Sequence, residues 1–339
     1  MKYYVDIIGC QQNEHDGIRI NYLLKNSGFL LSNPDDADLI VIVACAVRQT
    51  AVDRVFGRIK NWKGKTIIVT GCVLKSDQKK LKAKGVGFWN IEKPEELARI
   101  LKLDRRKTAK LLNDGKYYSF SIPIMFGCNN FCTYCATALT RGRERSRKLT
   151  EIISDATRLI KNGAKEIILL GQTVNSYKDP ETGAQLNVLL EKINNLEGDF
   201  EISFLSNHPK DMSDKIIDAV AKLPKVKKEI HLPLQSGSDK ILKAMNRPYS
   251  AKQYLEVVEN CKLKIKNLRL TTDVIVGFPG ETEKDFQKTV GIFKKVKYHR
   301  AYINKYSPRK GTAAFALGDP IPWNEKKRRW HILNNTLER

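Results

Sequence analysis

Three times within the first eighty residues, a short and nearly continuous β-branched run ends at a cysteine and gives way to a helical stretch. "YYVDIIG" leads to Cys10, and a helix is expected from about Asn13 to Lys25. "DLIVIVA" leads to Cys45, with a helix from about Arg48 to Trp62. "KTIIVTG" leads to Cys72, with a helix from about Asp77 to Lys84. Strands that are apolar along their whole length and alternate with helices belong in a parallel sheet covered on both faces. Each cysteine then stands just past the carboxyl end of its strand, the edge at which open α/β sheets bind ligands. Cysteines 35 and 27 residues apart in the chain thereby converge. The alternative is three small core cysteines, which would have to fall at the same end of three strands by chance.

A second βα series follows. A polar, basic stretch from about Asp104 to Tyr117, with "NDG" as a turn signal, reads as a linker, so domains are expected at 1–104 and 118–339 with 105–117 between them. "YYSFSIPIMFG" then reads as a strand, followed by strands at 166–171, 200–206, 229–234, 268–278 and 301–307 with helices between. Six strands with intervening helices fit a partial (β/α)6 barrel of TIM-like type, with its active face at the strand carboxyl ends. The expected fold class is α/β throughout: an N-terminal parallel-sheet domain, then the partial barrel.

The chain holds seven cysteines, and six of them form two groups of three. Beside the spread set Cys10, Cys45 and Cys72 stands a compact one, Cys128, Cys132 and Cys135 in "GCNNFCTYC". Cys261, inside a helical run, is left over as a core residue. An iron–sulfur cube or a structural zinc normally takes four ligands, so three leave one metal position open. The C-x3-C-x2-C spacing fits three corners of a cube. Zinc would need a fourth ligand, and no Cys or His lies between Cys135 and His208; zinc with one distant ligand stays open. No apolar run reaches membrane-spanning length and no secretory leader opens the sequence, so a cytoplasmic location without membrane attachment is expected. In that reducing compartment cysteines serve as metal ligands or nucleophiles more often than as disulfides. The net charge of +23 has two readings, simple solubility or a polyanionic partner such as nucleic acid.

The compact spacing after a first barrel strand, with Tyr134 before the last cysteine, resembles the radical S-adenosylmethionine superfamily. The resemblance implies a catalytic 4Fe–4S cluster on Cys128, Cys132 and Cys135 whose open iron chelates S-adenosylmethionine. One electron then cleaves the sulfonium to methionine and a 5′-deoxyadenosyl radical. "GCQQNEHD", "ACAVRQTA" and "TGCV" are similar to three segments of the methylthiotransferase N-terminal domain, which implies a second, auxiliary 4Fe–4S cluster with Cys10, Cys45 and Cys72 as metal ligands. "TRGRERSR", "LLGQTVNSY", "SNHPKDM", "HLPLQSGSDKILKAMNR", "DVIVGFPGETEKDF" and "KYSPRKGTAA" extend the likeness along the chain. Their wording favours the MiaB branch.

That branch installs a 2-methylthio group on C2 of N6-isopentenyladenosine, just 3′ of the tRNA anticodon (position 37). The implied enzyme is thus a tRNA-modifying, sulfur- and methyl-transferring radical enzyme. S-adenosylmethionine would be both methyl donor and radical source. Its implied partners are the tRNA anticodon stem-loop, an electron donor such as flavodoxin or ferredoxin, and an iron–sulfur assembly or sulfur-supply protein. The resemblance further implies cofactor contacts from Tyr134, Arg141, Gln172, Ser206, Gln235 and Gly277. Rival readings are the same chemistry on threonylcarbamoyladenosine in tRNA or on a ribosomal-protein aspartate. A reading of another class is a non-catalytic RNA-binding iron–sulfur protein. Two departures stand out. Members usually carry an RNA-binding TRAM domain after the barrel, and it is absent where the chain stops at "KKRRWHILNNTLER". Ala44 precedes Cys45 where many members have Asn-Thr.

Overall fold

The apolar runs of the first hundred residues are strands in the computed structural model, which describes residues 1–45, 49–91, 93–113 and 120–337. They are β1 (Lys2–Ile7), β2 (Leu30–Leu31), β3 (Leu39–Ala44), β4 (Thr66–Gly71) and β5 (Gly87–Phe88), paired in the order β2-β1-β3-β4-β5. Every pairing is parallel. The intervening helices are α1 (Gln11–Asn26), α2 (Gln49–Asn61), α3 (Lys75–Ala83) and α4 (Pro94–Leu101). β3 is buried along its whole length because its neighbours cover both faces. Leu39, Val41 and Val43 pack with Ile20, Leu23 and Leu24 of α1. Ile40, Ile42 and Ala44 pack with Val55 and Ile59 of α2 and Leu81 of α3. Each fully buried aliphatic side chain contributes roughly 1.5–3 kcal/mol.

The stretch expected to be a linker departs from that expectation. Residues Arg105–Asn113 form a helix, α5, that packs on α1 and α4. Asp104 starts it: its Oδ1 accepts from the Lys107 backbone N–H at 2.6 Å, an N-cap contact hidden inside a basic run. The rest of the expected linker, 114–117, lies outside the described residues, as does Arg48, where α2 was expected to begin. By its internal packing this first unit comprises Met1–Ser119 together with two short segments from later in the chain, Leu139–Arg141 and Arg309–Gly311.

The second unit holds the longer βα series: β6 (Ser121–Pro123), β7 (Met125–Phe126), α6 (Thr137–Arg141), β8 (Arg145–Ser146), α7 (Leu149–Lys161), β9 (Glu166–Leu170), α8 (Leu186–Asn194), β10 (Glu201–Phe204), α9 (Asp214–Lys222), β11 (Glu229–His231), α10 (Asp239–Ala244), α11 (Ala251–Lys264), β12 (Arg269–Val276), α12 (Glu283–Val296), β13 (Arg300–Lys305) and α13 (Trp323–Leu337). The single strand expected over 117–127 is two. The Ile124 N–H still bonds Leu170 O of β9 at 2.8 Å; beyond it the chain leaves β9, and β7 pairs antiparallel with β8. The parallel ladders are β10-β9-β6 and β11-β12-β13. Backbone bonds Ile202 N–H to Lys225 O (2.7 Å) and Lys227 N–H to Ile202 O (2.9 Å) carry the pairing from β10 to the segment leading into β11. Six parallel strands with helices outside them make the partial barrel expected from the sequence. A large apolar core, from Ile122 to Leu333, fills the space between strands and helices and includes Cys261. Among the described residues no helix is long and apolar enough to cross a membrane.

Candidate cluster sites at the strand ends

In the first unit the ends of β1, β3 and β4 are tied together at one backbone oxygen. Ala44 O accepts from the Cys72 backbone N–H at 2.9 Å and from Asn13 Nδ2 at 2.8 Å. Asn13 Oδ1 in turn accepts from Cys10 Sγ at 3.3 Å. Asn13, fully buried, is therefore an internal tie rather than a helix cap; the N-cap of α1 is Cys10 itself. Gly71 makes the approach feasible. Its φ is +89°, and a Cβ there would stand 2.6 Å from Ala44 O. None of the three cysteines forms a disulfide; Cys10 is exposed and Cys45 and Cys72 are half-buried. Although Cys10 is exposed as a residue, its sulfur is enclosed. Burial pushes its thiol up, the Asn13 backbone pulls it back, and the neighbouring Cys72 pushes it further.

Arg141 is expected at the cofactor, but within this unit it is engaged elsewhere. It is buried, donates from Nη2 to Asp16 Oδ2 at 2.9 Å and places Nε 3.1 Å from Cys72 Sγ. Gln12, the other polar residue after Cys10, bonds Asp16 Oδ1 at 3.2 Å.

In the second unit Cys128, Cys132 and Cys135 leave β7 in a loop held by its own polar side chains. All three are free and half-buried. Gly127 permits the turn into Cys128, with φ +73° and no room for a Cβ, which would lie 2.1 Å from Arg143 O. Each sulfur has donors facing it. Asn130 Nδ2 lies 3.4 Å from Cys128 Sγ, with Thr173 Oγ1 also at 3.4 Å. Arg247 Nη1 lies 3.5 Å from Cys132 Sγ, and the Thr137 backbone N–H 3.4 Å from Cys135 Sγ. Burial pushes the Cys135 thiol up to about 11, with Thr137 pulling in the other direction. A thiolate at that position thus needs an adjacent cation, and iron supplies one. Among the described residues no three His, Cys, Asp or Glu side chains converge on a single metal ion. A cube spreads its thiolates over three irons, so its ligands stand farther apart than those around one ion. The donor sets of both triads, three thiols each, fit that group.

A further group of polar atoms lies just past β9, β10 and β11. Gln172 Oε1, Asn207 Oδ1, His208 Nε2 and Gln235 Oε1 are all buried without a hydrogen-bond partner. Orphaned buried polar atoms are costly, and four just past the ends of β9, β10 and β11 fit a polar ligand. Gln172 and Gln235 were expected there from the sequence. Ser206, also expected, has φ +62°, and its carbonyl accepts from the Val174 N–H at 3.1 Å. Tyr134 packs against the small cluster of Ile241, Met245, Phe278, Tyr306 and Ala314. Gly277, expected to admit a cofactor, instead backs onto the Lys326 side chain, whose Cγ would lie 2.4 Å from an added Cβ. Of the other arginines in "TRGRERSR", Arg147 pairs with Asp155 at 2.9 Å, and Arg143 lies over the Phe131 ring at 4.4 Å. His231 is satisfied between Thr271 Oγ1 (2.9 Å) and Asp273 Oδ2 (3.0 Å). Arg247, Asn130, Thr173 and Asn207 were not singled out in the sequence. Their only signal was the "MNR", "CNNFC", "GQTVNSY" and "SNHP" segments in which they sit.

The family model described as the radical SAM superfamily matches residues 122–292, and that of Uncharacterized protein family UPF0004 matches residues 2–88. Curated relatives called tRNA-2-methylthio-N(6)-dimethylallyladenosine synthase align along nearly the whole chain. The Alkaliphilus oremlandii protein is 42% identical over 98% of this chain and 77% of its own length. That of Clostridium botulinum is 40% identical over 99% and 81%. That of Thermotoga petrophila is 37% identical over 100% and 82%. In fold the chain is similar to the cobalamin-dependent S-adenosylmethionine radical enzyme OxsB, with TM-score 0.60 at 10% identity. The match covers 98% of this chain and 56% of that one, so the chain spans little more than half the length of OxsB. It is also similar to the radical S-adenosylmethionine methyltransferase TsrM from Kitasatospora setae, with TM-score 0.60 at 12% identity over 93% and 74% of the two chains.

Proposed function

The chain belongs to the radical S-adenosylmethionine superfamily and, within it, to the family of the tRNA-2-methylthio-N(6)-dimethylallyladenosine synthases, and from that membership we propose that it methylthiolates C2 of N6-isopentenyladenosine 3′ of the tRNA anticodon. The observation that carries this reading is the 42% identity to a named synthase over 98% of the chain, a span that includes both cysteine triads. Cys128, Cys132 and Cys135 would hold one 4Fe–4S cluster, and Cys10, Cys45 and Cys72 a second. When bound, the first supplies the electron that cleaves S-adenosylmethionine, and the second presents the sulfur to be methylated and transferred.

The residues around each triad have definable tasks. Asn130, Arg247 and Thr137 direct N–H groups at the three compact thiolates and favour their charged form. Gln172, Asn207, His208 and Gln235 offer their unpartnered atoms to the polar groups of the cofactor. Asn13 and the Ala44 carbonyl fix the spacing of the strand ends that carry the other triad. The electron donor is a protein of the flavodoxin or ferredoxin class, and a sulfur-supplying protein restores the second cluster after each turnover.

Two measurements test the proposal. Reconstituted protein should bind about eight irons, and the Cys45→Ala variant about four while still cleaving S-adenosylmethionine. Nucleoside mass spectrometry of tRNA from cells lacking the protein should show N6-isopentenyladenosine without its methylthio derivative. Intact methylthio-isopentenyladenosine with loss of methylthio-threonylcarbamoyladenosine, or of the ribosomal-protein modification, would assign the chemistry to another substrate.

A further inference from the structure

Two arginines of the first unit are almost fully buried, Arg141 at 6% and Arg309 at 3% exposure. Both arrive on three-residue segments remote in sequence from the rest of the unit. Each meets a carboxylate on a helix that follows a cysteine-bearing strand. Arg141 meets Asp16 of α1 at 2.9 Å, and Arg309 meets Asp77 of α3 at 3.7 Å. A buried ion pair is by itself weak evidence for stability, because desolvation offsets most of its attraction. The arginine at Asp16 has a second contact that a purely structural pair would not need: its Nε lies 3.1 Å from Cys72 Sγ. Planar guanidinium geometry lets one face of the group hold Asp16 while its Nε edge addresses the sulfur.

We propose that Arg141 is a positioning residue for the auxiliary cluster: clamped by Asp16, it holds a fixed positive charge and an N–H donor against the Cys72 thiolate, and so stabilises the cluster's more negative oxidation state. The inference rests on the reading above that Cys10, Cys45 and Cys72 carry a 4Fe–4S cluster. Hydrogen bonds to sulfur and net local charge are among the quantities that set the potential of such a centre. The side chain neither ligates iron nor touches the substrate; it acts through the ligand.

The test uses the full chain with Cys128, Cys132 and Cys135 changed to alanine, so that one cluster remains. Iron per chain and the midpoint potential, followed by electron paramagnetic resonance, are read in this parent and in its Arg141→Lys and Arg141→Met forms. The parent should hold about four irons. The methionine form should shift to lower potential by a tenfold change in the reduced-to-oxidised ratio, about 59 mV for one electron. Lysine should restore most of the parent value. If methionine loses the iron and lysine keeps it, the requirement for charge is equally supported. The inference is overturned if both forms keep the parent potential, if both shift alike, or if both lose the iron. A parent that binds no iron would sink the cluster assignment itself, before Arg141 is tested.

Discussion

Gly127 and Arg247 fix the compact triad from opposite directions, one through the backbone and one through charge. With φ +73° and the Arg143 carbonyl 2.1 Å from an added Cβ, Gly127→Ala combines left-handed strain with a backbone clash. The expected cost is roughly 2–4 kcal/mol in urea unfolding, and the reconstituted protein should lose about half its iron. Arg247 donates to the half-buried Cys132 Sγ and, within the buried interior, to Tyr249 Oη at 2.9 Å and to Pro233 O at 3.2 Å. Arg247→Met leaves these acceptors without their donor and should cost roughly 2–4 kcal/mol, with weaker iron retention than in Arg247→Lys. His208 supplies a pH signature. Burial and the neighbouring Arg247 lower its pKa from 6.5 to about 2. Between those values the unfolded chain binds a proton that the folded chain refuses. Stability is therefore lost as pH falls below 6.5, by roughly 1.4 kcal/mol per unit from this residue. His208→Gln removes the titration, so between pH 6.5 and 4.5 its unfolding free energy, measured by urea titration, should fall less than that of the wild type, by roughly 2–3 kcal/mol. Parallel curves for the two proteins would sink this reading. The places of the cysteines were legible in the sequence, three at the ends of β1, β3 and β4 and three in one loop after β7, because they follow from the strand runs and from local spacing. Arg247 was not, because it lies 115 residues from the sulfur it faces, and only the fold brings them together. Arg141 was read as a cofactor ligand for the same reason: nothing local to "TRGRERSR" points to Asp16.

At the scale of elements the βα alternation was readable because continuous β-branched runs and helical stretches differ in period. All five later strand runs appear within a few residues of their expected ends. Among the elements that escaped, α5 did so for a local physical reason. α5 has few apolar residues and a basic sequence, so its stability comes from packing on α1 and α4 and from the Asp104 cap rather than from an evident stripe. Helix α12 makes the corresponding prediction. Thr282 and Asp285 form a reciprocal capping box, and Asp285 also accepts from Ser238 Oγ at 2.7 Å. Thr282→Ala removes one half of the box and should cost roughly 1–2 kcal/mol, read as a lower urea midpoint at unchanged slope. A changed slope would mean that the cap controls how much of the barrel unfolds together.

For the whole molecule the unabsorbed feature is charge. Sixty Lys and Arg against thirty-seven Asp and Glu leave +23, and neither cysteine triad needs so much. Many of the acids are already paired: Lys227 with Glu166 and Glu201, Lys264 with Asp214 and Asp218, Arg328 with Glu283 and Glu325. The uncompensated surplus therefore consists of lysines and arginines. A solvated basic surface and one that tracks phosphates differ in how binding responds to salt. Each phosphate neutralised on a single-stranded loop releases condensed counterions and contributes about −0.7 to the slope of log K against log salt, and about −0.9 on a duplex stem. With the proposed anticodon stem-loop as ligand, six or more phosphate contacts would give a slope of about −4 or steeper. Affinity would then fall roughly three-hundredfold or more between 50 and 200 mM salt. Fluorescence anisotropy with an isopentenylated stem-loop across that range measures the slope. Replacing Lys or Arg residues that contact phosphate should flatten it by about one unit each, while cysteine variants that lose iron should leave it unchanged. A slope near zero would separate the charge from the RNA: the surplus would serve solubility alone, and recognition of the nucleoside would have to rest on contacts with the base and its prenyl group.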